Sequence, residues 1–515
     1  MRDVPATRRS RAWKRAIVWT LTAVWIGTAY FQTNKSLPPG LHVDSSWYPI
    51  AASDVTFIAD ITSADAYGRL SSSQAIFDEV LSVIRSAHKF VVLDCFLFNS
   101  QAGTAPGSVP AFRQLSGELR DALIERRRAA PDLQVVFITD PINEVYGGVT
   151  SLDLRLLRAA GVEVAVTNLD ALRDSNFLYS SLWRLGIKWW SGDGRPSGRL
   201  AGDPGSSAPG WFPNPVDESA DPSSFGAWAR LLNFKANHRS LIIADDGRDG
   251  LVSIVGSANA HDASSAHSNA ALKVTGPVLL PLLDSELQIA RFSGWNGHLK
   301  EAVDKMDPLA PADHMGGGRM KVLTEGGILT ELLQRLDAAQ RGDNIDIAMF
   351  YVSDRAVIES LLAASRRGVA VRLILDPNKD AFGRAKTGIP NQPVASELVA
   401  ASDGAIHVRW YRTHGEQFHT KLAMVYGAEK FWLTVGSANL TRRNLADYNL
   451  EANLAIELPR SARIAQQTLE YFETLWSNRA TLGIEYTADF GYYADPSQLH
   501  YWLYRVMEGT GVSTF

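Results

Sequence analysis

Two stretches of this chain end in the same four residues and carry a histidine at nearly the same distance before them. One begins His238-Arg239-Ser240-Leu241-Ile242-Ile243-Ala244-Asp245 and ends Gly256-Ser257-Ala258-Asn259. The other begins His419-Thr420-Lys421-Leu422-Ala423-Met424-Val425-Tyr426 and ends Gly436-Ser437-Ala438-Asn439. Repetition on this scale constrains the chain to fold as two related halves. Two imidazoles in duplicated settings suit a two-step reaction at phosphorus, in which one ring attacks and the other protonates the leaving group.

The repeat extends upstream. Asp140-Pro141-Ile142-Asn143-Glu144-Val145-Tyr146-Gly147 aligns without a gap with Asp376-Pro377-Asn378-Lys379-Asp380-Ala381-Phe382-Gly383. Each octet follows a β-type run, 133–138 and 369–375, and each run follows a helix-like segment at about 115–129 and 355–367. An earlier strand recurs at 90–98 and 345–352. From Gly147 to His238 is 91 residues, whereas Gly383 to His419 is 36, so the first copy carries about 55 additional residues.

The double His-x-Lys-x4-Asp-x6-Gly-Ser-x-Asn pattern resembles that of the phospholipase D superfamily, and the chain is similar to its cardiolipin synthase-like bacterial members over roughly residues 55 to 480. The resemblance implies an α/β fold of two half-domains in a pseudo-twofold arrangement that share one active site. It implies phosphodiester transfer through a phosphohistidine, with no metal and no cofactor. His238 and His419 would divide the roles of nucleophile and acid, in an order the residues leave open. Lys421, Asn259, Asn439, Ser257 and Ser437 would hold phosphoryl oxygens, and Glu451, in Asn449-Leu450-Glu451-Ala452-Asn453, would orient His419. Ser240, Arg239 and His267 complete the candidate substrate-binding set, with His267 a candidate to orient His238.

The pattern is not perfect. Ser240 stands where the family has its first lysine, and Tyr426 where it has its second aspartate. The first copy has Ala266-His267-Ser268-Asn269 where the second has its glutamate. A lysine on a non-bridging phosphate oxygen is a preorganised charge, and removing such a donor costs about 3–4 kcal/mol of transition-state stabilisation. Lys235 and Arg239 are cations near the gap, but in a strand Arg239 points away from the His238 face. The aspartate position lies at the far end of the strand from the histidine, which suits a structural role. The reading is a membrane-anchored phosphatidyltransferase acting on glycerophospholipid. A phospholipase D hydrolase, a nuclease and a catalytically impaired lipid-binding protein remain open beside it.

Charge argues against a nucleic-acid partner. Residues 1–35 contain seven Lys or Arg and one Asp, while the whole chain is −4, which leaves about −10 on the body. A binder of phosphate backbones shows a basic face. After Arg2, Arg8, Arg9, Arg11, Lys14 and Arg15 comes an uncharged stretch, 16–34, whose apolar part holds Trp19, Trp25, Tyr30 and Phe31. Residues 1–35 are therefore expected to be an N-terminal transmembrane helix, with a cleaved signal as the other reading. The basic end would stay in the cytoplasm, placing the body on the outer side of a bacterial inner membrane.

The expected organisation is a linker at 36–54, a first half at 55–300 with an insertion at 175–230, a second half at 301–480, and a tail at 481–515. The insertion interleaves Trp183, Trp189 and Trp190 with Arg184 and Lys188, then passes through a Gly/Pro/Ser-rich loop with Trp211. That composition suits a lid or lipid-entry rim. In the tail, Asp495-Pro496 reads as cap and first turn of an amphipathic helix with Leu499, Trp502, Leu503, Val506 and Met507 on one face. Cys95 is the single cysteine and excludes an internal disulfide. No metal-ligand spacing occurs. Nothing in the residues indicates an oligomeric state.

Overall fold

The structure is a computed structural model that describes residues 6–100, 112–191, 212–214, 222–247, 250–299, 317–381, 384–479 and 483–515. Arg2, Trp211 with most of its loop, Gly383 and the boundary at 300/301 lie outside the described residues.

The apolar runs alternate, and the alternation builds two sheets with two buried faces each. The first sheet has the strand order 55–60, 269–275, 251–256, 240–245, 90–95, 134–139 and 163–166. The second contains 318–324, 452–459, 430–436, 421–426, 344–349, 370–375 and 406–411 in the same order. Short strands at 48–50 and 487–489 are added at its two edges. Seven strands thus repeat one topology, each half with a parallel trio and an antiparallel remainder. The duplication read from three sequence anchors runs through both halves.

Val92, Ile243 and Leu272 of the first sheet share a core with Leu422, Met424, Leu433 and Ile456 of the second. Their neighbours one residue along, such as Val91, Leu93 and Ile242, face outward onto Ile76, Leu81, Leu119, Leu123 and Leu157 of three covering helices. Ile347, Leu373 and Ala423 do the same beneath Ile328, Leu332, Leu361 and Leu398. The sheets therefore lie face to face with helices outside. The helix Leu280–Phe292 and its counterpart Arg463–Trp476 also contribute to the shared core.

The N-terminal segment is one helix, Ala6–Asn34. Among the described residues, however, no helix is long and apolar enough to cross a membrane, which corrects the expected transmembrane helix. The physical reason is dilution: Thr20, Thr22, Gly27 and Thr28 interrupt a short apolar run flanked by charge. The helix is also anchored to the body. Trp25 Nε1 donates to Leu178 O at 3.2 Å, and Thr33 Oγ1 donates to Asp174 O at 3.3 Å.

The insertion folds back on the body. Trp183 is buried, and Arg184 and Lys188 pair with Asp174 and Asp170 rather than with a surface ligand. Trp189 remains exposed. The tail helix is Gln498–Thr510, capped by Ser497 rather than begun by Asp495-Pro496. It docks through Tyr504 and Glu508, whereas Leu499, Trp502 and Val506 of the expected face are exposed.

One buried cation ties the halves together. Arg239 has no solvent exposure, so it does not join the substrate set expected for it. Its guanidinium donates to Glu286 Oε1 at 2.6 Å and to Glu325 Oε1 at 2.6 Å. Glu325 belongs to the second half and sits at φ 47°, a conformation costly for a residue with a Cβ. Its carboxylate also accepts from the backbone of Glu451 at 3.2 Å and of His42 at 2.8 Å. Removing one partner of a buried ion pair costs about 3–5 kcal/mol. Arg239→Met is therefore expected to lower the thermal unfolding midpoint, and Arg239→Lys to recover only part of it. Calorimetry that finds the Met variant as stable as the parent would remove Arg239 as a tie.

Candidate active site

Each histidine stands just before a strand, and the backbone leading into it is fixed from the opposite half. His238 N donates to Leu450 O at 2.9 Å, and Leu450 N donates to Ala236 O at 3.1 Å. His419 N donates to Ser268 O at 2.8 Å, and Ser268 N donates to Gln417 O at 3.1 Å. The two aspartates of the repeated octets add a second anchor. Asp140 accepts from Ile142 N and Asn237 N, both at 2.7 Å, and Asp376 accepts from Asn378 N at 2.6 Å and Phe418 N at 2.7 Å. They form turns, as such residues do, and also pin the residue before each histidine. Burial pushes both carboxyls up to about 7.

The ring nitrogens are steered across the same junction. His238 Nδ1 lies 3.0 Å from Glu451 Oε1 and 3.1 Å from Oε2. Glu451 thus orients His238 rather than His419, a correction to the assignment within one copy. His419 Nδ1 lies 2.8 Å from Ser257 O and 3.2 Å from Asn269 Oδ1. Asn269 occupies in the first half the place Glu451 holds in the second. The two serines confirm the equivalence: Ser437 Oγ donates to Glu451 Oε2 at 2.5 Å, and Ser257 Oγ to Asn269 Oδ1 at 3.0 Å. Both hydroxyls are therefore committed to the groups that steer the rings, and neither serine lines the cavity. The preceding glycines are needed for close approach. A Cβ on Gly256 would sit 2.6 Å from Ala270 O, and one on Gly436 would strike Ala452 O.

Acceptance by a backbone carbonyl leaves the His419 proton on Nδ1 and its Nε2 lone pair free. Lys421 Nζ fills that direction at 3.0 Å. Burial lowers Lys421 to about 7, opposed by the charges of Glu451 and Asp376. His419 is driven well below its ordinary value, first by burial and then by the charges of Lys421, His267 and His238. His267 is held down to about 3 by burial, and its Nδ1 accepts from Gln417 N at 3.2 Å. Its ring lies 5.9 Å from that of His419, so it belongs beside His419 and does not orient His238.

The first half offers no cation at the position of Lys421. Ser240 Oγ donates to Asn259 Oδ1 at 3.1 Å. Lys235 is turned to Asp174 and donates to Leu172 O at 2.9 Å, and Arg239 lies beneath the site. At the far strand ends, Asp245 accepts from His88 N and Lys89 N at 2.8 and 2.6 Å. Tyr426 instead donates to Asp346 Oδ2 at 2.8 Å, within a pair with Arg372. Both positions hold structure, away from the reacting groups.

His238, His419, Asn259, Asn439 and His267 line one cavity of about 470 Å³. Its walls are apolar near the rings: Phe96 lies 4.6 Å from His238 and Phe350 lies 4.9 Å from His419, centroid to centroid. Leu231 and Phe234, just after the insertion, complete one side. Asn439 Oδ1 is buried without a hydrogen-bond partner. Among the described residues no group of three or more His, Cys, Asp or Glu is placed to hold a metal ion. Asn269 was missed by sequence reasoning, although its place in the repeat was the available signal. The aromatic walls had no comparable signal.

Residues 332–476 match the family described as cardiolipin synthase, PLD-like domain. No curated protein matches the chain. Among solved structures, the phosphatidylserine synthase of Haemophilus influenzae Rd KW20 is similar with a TM-score of 0.51 at 12% identity, over 94% of this chain and 97% of that one. A phospholipase D family member, Nuc, from Salmonella typhimurium matches at 22% identity and a TM-score of 0.24, over 31% of this chain and 95% of its own. Polyphosphate kinase from Porphyromonas gingivalis matches at 14% identity and a TM-score of 0.39, over 89% of this chain and 53% of that one. Residues 332–476 thus carry the matched PLD-like domain, and the first half repeats its strand order and its histidine motif, which supports a phospholipase D superfamily assignment.

Proposed function

We propose that this protein is a phosphatidyltransferase of cardiolipin synthase-like type, which moves a phosphatidyl group between glycerophospholipid hydroxyls through a phosphohistidine. The observation that carries the reading is the pair of imidazoles on one cavity, each fixed at Nδ1 by a different kind of partner.

His238 is the nucleophile in this reading. Its Nδ1–H faces the Glu451 carboxylate, which stabilises the positive charge that appears when Nε2 bonds to phosphorus. His419 is less suited to attack, because Lys421 already occupies its Nε2 lone pair. Instead His419 and Lys421 hold one proton between them. That proton goes to the leaving alkoxide as its bond to phosphorus breaks. The pair then takes a proton from the acceptor hydroxyl, whose oxygen displaces Nε2 and frees His238. Lys421, Asn259 and Asn439 hold the non-bridging oxygens. Phe96 and Phe350 keep water from the phosphohistidine, which favours a lipid hydroxyl as acceptor. With water as acceptor the same steps make a phospholipase D, the second reading. The serine at position 240 supports a third, an impaired lipid-binding protein. The substrate is met at a membrane surface in all three, and exposed Trp13, Trp19, Tyr30, Phe31 and Trp189 suit that interface.

Denaturation in alkaline detergent, which spares a P–N bond that acid would cleave, is expected to trap label on the protein after mixing with phosphorus-labelled phosphatidylglycerol. His238→Ala should abolish the label, whereas His419→Ala should retain some. Label that survives in His238→Ala and vanishes in His419→Ala would reverse the roles. Analysis of products separates transfer from hydrolysis, and no turnover with either acceptor would leave only the lipid-binding reading. Lys421→Met is expected to lower kcat roughly 10²- to 10³-fold, the usual effect of losing a preorganised donor.

The lowered value of Lys421 has a sign that can be checked. Its ammonium is complete below about 7 and is lost as pH rises through that value. A bound anion restores the charge. Sulfate, a dianion throughout, should therefore bind with proton uptake above neutral pH and weaken as pH rises to 9. Calorimetry in buffers of different ionisation enthalpy reads the uptake. Lys421→Met should remove it; persistent uptake in that variant would assign the proton elsewhere.

A further inference from the structure

The cavity holds more positive charge than one phosphodiester requires. Arg443 and Lys386 line it together with the two histidines. Lys386 Nζ donates to Tyr351 Oη at 2.9 Å, and its ammonium lies 5.5 Å from the centre of that ring. Arg443 Nη2 donates to the carbonyl of Ser513 and lies 3.0 Å from its Oγ, while the guanidinium sits over Phe234 at 5.5 Å. Its Nε is buried with no hydrogen-bond partner. Among the described residues, neither cation has a carboxylate oxygen within the 4.0 Å of an ion pair.

Three buried cations elsewhere in this protein do have such a partner, whereas Lys421 beside His419 is also without one. Arg239 has Glu286 and Glu325, Lys235 has Asp174, and Lys321 has Glu331. Arg443 is partly exposed as a residue, but its Nε is enclosed, and an enclosed cationic group without a counter-ion is costly. Burial brings Arg443 down to about 10, with Glu508 at longer range opposing the fall, so it stays charged at neutral pH. Arg442 next to it does not share the cavity, since its guanidinium is turned to Tyr448 Oη at 2.7 Å. The repeat sharpens the point. Counting four residues on from the motif asparagines, Asn439 leads to Arg443, whereas Asn259 leads to Ala263. The charge is thus added to one half only, and the site is lopsided where its histidines are paired.

We propose that Arg443 and Lys386 form a second anion subsite, so that the cavity takes a substrate pair carrying two anionic groups: the reacting phosphodiester at the histidines and a further phosphate or carboxylate at Arg443. The inference rests on the transfer reading and deepens it, because the second anion belongs either to the acceptor or to the donor head group. Guanidinium geometry favours a phosphate or carboxylate gripped by two N–H groups, and Nε is the donor left available.

The first test needs no turnover. Binding of propyl phosphate is compared with that of alkanediol bisphosphates of increasing chain length, by calorimetry on the full chain. At least one bisphosphate is expected to bind ten-fold or more tightly than the monophosphate. In Arg443→Met the two ligands should bind alike, and Lys386→Gln should reduce the preference. Arg443→Lys keeps the charge and should keep part of the preference, which guards against a Met variant that fails to fold. A parent protein that treats both ligands alike, or a preference that survives Arg443→Met, would overturn the subsite. The second test identifies the source. With phosphatidylcholine as donor, glycerol 3-phosphate should outcompete glycerol as acceptor if the anion is the acceptor's. If it is the donor's, KM for phosphatidylserine should rise in Arg443→Met while glycerol and glycerol 3-phosphate serve equally. Absence of all lipid turnover beside an intact bisphosphate preference would sink the transferase reading and leave the subsite standing.

Discussion

The contact between His238 and Glu451 orders the site and depends on much of the rest of the molecule. The imidazole comes from the first half and the carboxylate from the second, so the geometry exists only when the halves are docked. Glu451 is fully buried and would be costly without its partners. It is held by Ser437, by Asn444 and by the ring itself. Its backbone N–H is bonded to Glu325, which Arg239 neutralises one residue beyond His238. The path from His238 through Glu451 and Glu325 returns to Arg239. A closed path of hydrogen bonds of this kind fixes an orientation better than any single member does.

The two histidines share a scaffold yet have different surroundings. His419 is deeply buried, bonded at Nδ1 to neutral groups, and touched at Nε2 by a lysine. His238 is a little more open and faces a carboxylate. The losses in the sequence produce this difference directly. Ser240 in place of lysine leaves the first strand without a cation, and Asn269 in place of glutamate leaves His419 without a charge at Nδ1. What reads in the sequence as decay of a motif appears in the structure as a difference in surroundings between two rings.

Much of this was legible in the sequence, for reasons that can be named. The repeat was visible because gap-free octets and the motif spacing survive where the flanking residues differ. The structure brings both histidines and both asparagines onto one cavity and sets Lys421 against His419, since all sit at the ends of recognisable strands. Period-two alternation already turned Arg239 away from the site. Two of the errors share a cause. Glu451 was given to His419, and His267 to His238, because each lies near that histidine in sequence or in its own copy. Pairing in fact crosses the junction, which one-dimensional spacing does not encode. Ser257 and Ser437 looked like phosphate ligands because nothing in a linear motif says which way a hydroxyl points. The N-terminal segment was read by its aromatics and flanking charge, while its threonines and glycine settle its mean polarity.

The crossing of the steering groups has a consequence for how such a chain can change over generations. A second half paired with a copy of itself would supply a glutamate and a lysine to each ring, whereas a first half paired with itself would supply neither. Once the two lie on one chain, each can lose what the other provides. With 240 and 269 changed and 421 and 451 kept, the site is asymmetric: a carboxylate faces one imidazole and a lysine the other.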